Sequence, residues 1–251
     1  MSAFFPRSVM SGLKGRSDRT GRGWLALLAG TALLVTAATP SASAPIVVPT
    51  SLNLGDQYRL AFVTHGERDA FSGNIADYNN FVTAAANSVP ELSALGTTWR
   101  VIASTSAVDA RTNTGTDPTP PGPTGVPIFT LIDFKLANDC DDLWDGTILT
   151  GLRWTEFGTA VPNPNVRTGT NPDGTGSAGN QLGVGRPYIG LAWATDSGWI
   201  NRGTNRSQYE PFPFYAMSDV LTVVPEPSSA VLVSVGAIGL AIIGRRRKRA
   251  V

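Results

Sequence analysis

Behind an uncharged stretch at residues 230–243, interrupted only by Ser234, Gly236 and Gly239, the chain ends in Arg245-Arg246-Arg247-Lys248-Arg249-Ala250-Val251. No other feature restricts the fold as much, because an apolar run beside a block of five cations has no place in a water-soluble domain. As a helix, residues 230–243 would be about 21 Å long at about 1.5 Å per residue. Counting residues 228–244 gives about 25 Å against a hydrocarbon core of about 30 Å, so the segment is expected to span with local thinning and with arginines at the interface. The cations pin that end in the cytoplasm. Pro225-Glu226-Pro227 is then left on the far side, stiff and extended, since proline fixes φ and drives the preceding residue out of the helical region.

The other terminus has a basic region with Arg7, Lys14, Arg16, Arg19 and Arg22, an apolar stretch at 24–35, and small residues ending in Ala42-Ser43-Ala44. That is the three-part pattern of a secretory signal. Cleavage after Ala44 would put Pro45 beside the scissile bond, which makes Ala38 an alternative. The expected organisation is a signal peptide at 1–44, an exported domain at 45–224 and a tail at 225–251.

The order Pro-Glu-Pro, short apolar helix, terminal arginine cluster resembles the PEP-CTERM sorting signal, over residues 224–251. The resemblance implies recognition at Pro225, Glu226, Pro227, Arg245, Arg246 and Arg247 by an exosortase, an integral-membrane transpeptidase. It also implies transient anchoring in the membrane and delivery to the cell surface or extracellular matrix. An ordinary single-pass anchor with a basic stop-transfer cluster is the alternative.

Setting the ends aside changes the charge. The whole chain is +1, but residues 45–224 hold 10 cations and 17 acids, a net charge of −7. A domain of that sign is a poor partner for nucleic acid, which requires clustered Lys and Arg. Cys140 is the single cysteine, so no internal disulfide can form and about 180 residues must hold by burial alone. Asp139, Asp141 and Asp142 around it raise the thiol pKa, which fits a structural cysteine better than a nucleophile.

Within the domain, residues 57–65 predict a central strand with Tyr58, Leu60 and Phe62 on one face and Ala61 and Val63 on the other. Ile75, Tyr78, Phe81, Val82 and Ala85 recur at helical spacing behind Asn74, a cap. Ser88-Val89-Pro90-Glu91 has capping-box spacing and predicts a second helix ending at Gly96. Strands are expected at 98–103, 128–132 and 212–223, and loops at 112–127, where Thr, Gly, Pro and Asp dominate, and at 158–187, rich in Gly, Pro and Asn. Asn171-Pro172-Asp173-Gly174 is a turn sequence.

This order, together with the segments Trp99-Arg100-Val101-Ile102-Ala103-Ser104, Leu143-Trp144-Asp145-Gly146-Thr147-Ile148 and Thr168-Gly169-Thr170-Asn171-Pro172-Asp173-Gly174-Thr175, resembles C-type-lectin-like domains of secreted bacterial proteins. The resemblance covers about residues 56–223. It implies a single α+β domain with two helices and long irregular loops, and the two termini add the flanking N-terminal signal helix and C-terminal transmembrane sorting helix to the expected fold. The cysteines that many such domains carry are missing here, and a plain β-sandwich is the alternative.

Two groups of residues are candidates for a site. Asp139, Asp141, Asp142 and Asp145 supply oxygens suited to calcium. The spacing is not an EF-hand loop, and like charges about 6 Å apart in water repel by only roughly 0.7 kcal/mol a pair, so a solvated acidic turn is the alternative. Asn171 and Asp173 flank a proline, as the calcium- and sugar-holding side chains of sugar-binding C-type lectins do, although the motif differs and a plain turn explains it too. Trp144, Trp154, Trp193 and Trp199 are either a stacking face for sugar rings or core.

His65 is the single histidine, and no nucleophile signature surrounds any serine. The expectation is a non-enzymatic exported protein that binds extracellular polysaccharide. A hydrolase with paired carboxylates and a self-associating structural protein are the alternatives.

Overall fold

The computed structural model describes residues 48–118 and 124–224. The signal at 1–44, the sorting residues Pro225, Glu226, Pro227, Arg245, Arg246 and Arg247, and the apolar tail lie outside the described residues. Among the described residues no helix is long and apolar enough to cross a membrane.

The architecture is α+β, with four helices and nine strands described. Strand β1 (Gln57–Val63) is central, and six of its seven residues are buried. It pairs in parallel with β3 (Ile128–Thr130) and antiparallel with β8 (Tyr215–Ser218). Outside these lie β2 (Trp99–Val101) against β8 and β4 (Lys135–Ala137) against β3. The short β9 (Leu221–Thr222) pairs with the start of β1, Gln57 opposite Thr222. Asp219-Val220 separates β8 from β9, so the single closing strand expected at 212–223 is two.

The two faces of β1 feed separate cores, as the alternation predicted. Tyr58, Leu60 and Phe62 pack with Tyr78, Val82, Leu92, Trp99 and Phe214, while Ala61 and Val63 pack with Trp144, Trp199, Tyr215 and Met217. Phe62 meets Trp99 edge to face, centroids 5.1 Å apart. Each such large side chain, fully buried, contributes about 1.5–3 kcal/mol.

Helix α1 (Ile75–Asn87) covers the first face, burying Tyr78, Val82 and Ala86. Asn74 caps it by accepting from the Ala76 N–H at 3.1 Å. The capping box at Ser88 does not form. The Ser88 N–H closes the last turn of α1 onto Ala84 and Ala85, and its hydroxyl donates to the Ala85 carbonyl. Val89 then starts α2 (Pro90–Ala94) with no side-chain cap.

The segment expected to be a loop from Thr112 contains α3 (Ala110–Thr114), and Asn113, Thr114 and Thr116 are buried. Arg59 is the cause. Buried on β1, it donates to the carbonyls of Thr114 (3.0 Å), Gly115 (3.2 Å) and Ser218 (2.8 Å) and so satisfies the free C-terminal end of α3. Asn113 and Asn79 exchange amide hydrogen bonds of 2.9 Å, tying α3 to α1.

The second face of the large sheet is covered by α4 (Cys140–Leu143), by irregular chain, and by a small antiparallel sheet. Its strands are β5 (Asn165–Arg167), β6 (Tyr188–Leu191) and β7 (Thr204–Asn205), in that spatial order.

Candidate functional site

A buried arginine ties β5 of the small sheet to the chain flanking β6 and β7. Arg167, fully buried on β5, donates from one terminal nitrogen to the carbonyls of Pro187 (3.0 Å) and Arg206 (3.1 Å), and from the other to Ser207 (2.9 Å) and Glu210 (3.0 Å). Its guanidinium also lies 4.6 Å from the Phe212 ring centroid. Burial pushes its pKa down to about 10, against the opposing pull of Glu210. A planar fork with five donors can satisfy four carbonyls of one returning segment, which a lysine ammonium cannot do.

Between β6 and β7 the chain makes a 3₁₀ turn, Ser197–Trp199, capped by Asp196, whose carboxylate accepts from the Gly198 N–H at 2.9 Å. The turn sits directly on β6 at Gly190, where a β-carbon would collide with the Trp199 carbonyl. Trp199 is fully buried between Trp144 (6.0 Å) and Tyr215 (5.7 Å), and the Tyr215 hydroxyl donates to the Trp199 carbonyl at 3.0 Å. Thr168 donates to the carbonyl of Ile200 at 2.6 Å.

On this rigid base an open groove of about 440 Å³ is lined by Leu191, Ala194, Asp196, Ser197, Gly198, Asn201 and Arg202. Arg202 is oriented from below, donating to Asn165 Oδ1 at 2.8 Å. Trp193, beside Ala194 in the chain, is 54% exposed. The groove therefore offers a carboxylate, a guanidinium, an amide and a hydroxyl beside the apolar side chains of Leu191 and Ala194.

The residues singled out in the sequence lie elsewhere. Asp139 caps α4 by accepting from the Asp142 N–H at 2.9 Å. Asp141 accepts from the Thr124 N–H and hydroxyl, Asp142 from the Asn138 N–H and side-chain amide, and Asp145 from the Thr147 N–H and hydroxyl. Each carboxylate thus serves a neighbouring turn or loop, and among the described residues no group of three His, Cys, Asp or Glu is arranged to hold a metal ion.

Asn171 donates to Thr175 Oγ1 and the Gly176 carbonyl, and Asp173 Oδ1 accepts from the Thr175 N–H and hydroxyl. Burial opposes ionisation of Asp173, but the Thr175 bonds and then Arg111 leave its pKa below the ordinary value. Trp144 is 5% exposed and donates its indole N–H to the Thr116 carbonyl and hydroxyl. Trp144 and the 171–174 turn are brought together, for packing. Of the four tryptophans weighed, Trp144 and Trp199 are core, Trp154 is half-buried and Trp193 is exposed.

His65 is exposed and lies edge-on to Phe157, with centroids 5.7 Å apart. Cys140 is buried. Burial pushes its thiol pKa up, Arg59 opposes, and Asp139, Asp141 and Asp117 add to the rise. The direction is the one its acidic neighbours suggested, although burial is the larger cause.

Sequence reasoning did not single out Asp196, Ser197, Asn201 and Arg202. The signal for them was Asp196-Ser197-Gly198, a capping sequence three residues after Trp193. Comparison with protein-family models and with curated proteins gave no match.

Proposed function

We propose that the chain is an exported, non-enzymatic protein of the cell surface or extracellular matrix whose domain at 45–224 binds extracellular polysaccharide. Its tail at 225–251 is recognised and removed by an exosortase-type transpeptidase. The observation that carries the binding is the groove at the Ser197–Trp199 turn. Sugar rings present hydroxyls that both donate and accept and a face of C–H groups, and the groove answers them with Asp196, Ser197, Asn201 and Arg202 beside Leu191 and Ala194.

A C-type-lectin-like fold is the reading that suits the element order. The first strand pairs with the last two, two helices follow the first strand, and a long, mostly irregular region precedes the closing strands. Export and sorting rest on the sequence of the two termini, and calcium on the acidic run alone.

The test is retention of the full chain, in mild detergent, on the host's own extracellular polysaccharide, with calcium and then with a chelator. Retention that falls when Asn201 and Trp193 are replaced by alanine is expected. No retention in either condition would overturn the binding reading and favour a structural, self-associating protein. Retention lost only with chelator would restore Asp139, Asp141, Asp142 and Asp145 as a calcium site. For sorting, replacing Pro225-Glu226-Pro227 by alanines should leave the tail uncleaved, and normal processing would overturn the exosortase assignment.

A further inference from the structure

The charge of the domain is unevenly placed. Of its ten cations, Arg59 and Arg167 are buried in structural roles, whereas Arg186, Arg202 and Arg206 are all exposed. Residues 186–206 contain these three and a single acid, Asp196, a local charge of +2 against −9 for the rest of residues 45–224.

The three arginines lie along one edge. Strand β7 is an outer strand of the small sheet. It is bracketed by Arg202, whose N–H meets the Ile189 carbonyl at 3.1 Å, and by Arg206, whose N–H meets the Pro187 carbonyl at 3.1 Å. Gly203, with φ +67°, turns the chain between Arg202 and the two-residue strand, and Arg206 follows directly after Asn205. Arg186 reaches across to the same strand, donating from Nε to Asn205 Oδ1 at 3.1 Å.

The partners of these guanidiniums are informative. Arg186 is held by Asn205 and Arg202 by Asn165, both neutral amides, and the ion pairs seen among the described residues involve Arg100 and Arg111 instead. An amide oxygen orients a guanidinium without neutralising it, so the remaining N–H donors keep their affinity for an anion.

We propose that this edge binds a polyanionic glycan, one whose sugars carry carboxylate or sulfate groups, with Arg202 holding one anionic sugar at the groove and Arg186 and Arg206 a second further along β7. The proposal rests on the polysaccharide-binding reading and names its ligand class. The negative remainder of the domain repels such a chain and confines it to this edge.

The test uses the full chain in mild detergent on columns of polygalacturonate, dextran sulfate and unmodified dextran. Retention is expected on the anionic matrices and not on dextran, with release by about 0.5 M salt. The variant R186Q/R206Q, which leaves the groove intact, should bind at least about tenfold more weakly, and R186Q/R202Q/R206Q more weakly still, with unchanged melting temperatures. A preference between the two anionic matrices tells carboxylate from sulfate. Retention on dextran that ignores these substitutions overturns the anionic class and leaves polysaccharide binding standing. Absence of retention on all three matrices and on the host polysaccharide overturns both.

Discussion

Gly174 lies with its α-carbon against the indole of Trp144, so that a β-carbon there would stand 2.8 Å from Cδ2 and 3.0 Å from both Cε2 and the Arg111 Cβ. The φ of Gly174 is +81°. Gly174→Ala therefore combines a left-handed backbone with overpacking against a buried ring, and a loss of about 2–4 kcal/mol is expected. Gly179→Ala separates the two causes, since Gly179 has φ +78° and nothing within 4 Å. It should cost about 1 kcal/mol. Urea unfolding of both variants checks this, and equal losses would mean that contact with Trp144 adds nothing.

Removing Arg167 should loosen the segment that carries the groove. Arg167→Met leaves the carbonyls of Pro187, Arg206, Ser207 and Glu210 without their donor, and a loss of about 3 kcal/mol or more is expected. Arg167→Lys keeps the charge but not the fork, and should lose at least half as much. Hydrogen exchange would localise the effect, with amides of residues 187–210 exchanging faster while those of β1 are unchanged. Uniform acceleration would make Arg167 a general core residue rather than a clamp on this segment.

Glu156 gives the domain a pH dependence of definite sign. It is 6% exposed and accepts from the His65 backbone N–H at 2.8 Å. Burial, the largest cause, pushes its pKa above the ordinary 4.5, with backbone hydrogen bonds and His65 opposing. Between 4.5 and that raised value the folded state holds a proton the unfolded chain has released, so stability falls as pH rises through the window and stays lower above it. Glu156→Gln keeps an acceptor for the His65 N–H and removes the charge. Its melting temperature relative to the unaltered chain should climb from about pH 4 to neutrality. A difference independent of pH would show that the carboxylate is not disfavoured in the fold.

What could be read from the sequence was what is local. The alternation of β1 and the spacing behind Asn74 are short-range patterns, and both formed as expected. Ser88 was misplaced because the same serine can open one helix or close another, and the neighbouring carbonyls of α1 captured it. Helix α3 was hidden in a Thr- and Gly-rich stretch because its C-terminal carbonyls are satisfied by Arg59, more than fifty residues away. The groove was hidden for a similar reason. Its base depends on Trp144, Arg167 and Tyr215, contributed by three distant segments.

The acidic run yields the last prediction, because capping and metal binding respond differently to the same substitutions. Asp139, Asp142 and Asp145 accept from main-chain N–H groups, and asparagine can accept those bonds without the charge. Asp→Asn at these positions should therefore change stability by less than about 0.5 kcal/mol each, and Asp→Ala should cost about 1 kcal/mol each. Both series should melt at the same temperature with calcium as with chelator. A calcium site would give the opposite pattern, with calcium raising the melting temperature of the unaltered chain and the asparagine variants losing that rise as fully as the alanine variants, since calcium requires the charge and the caps do not.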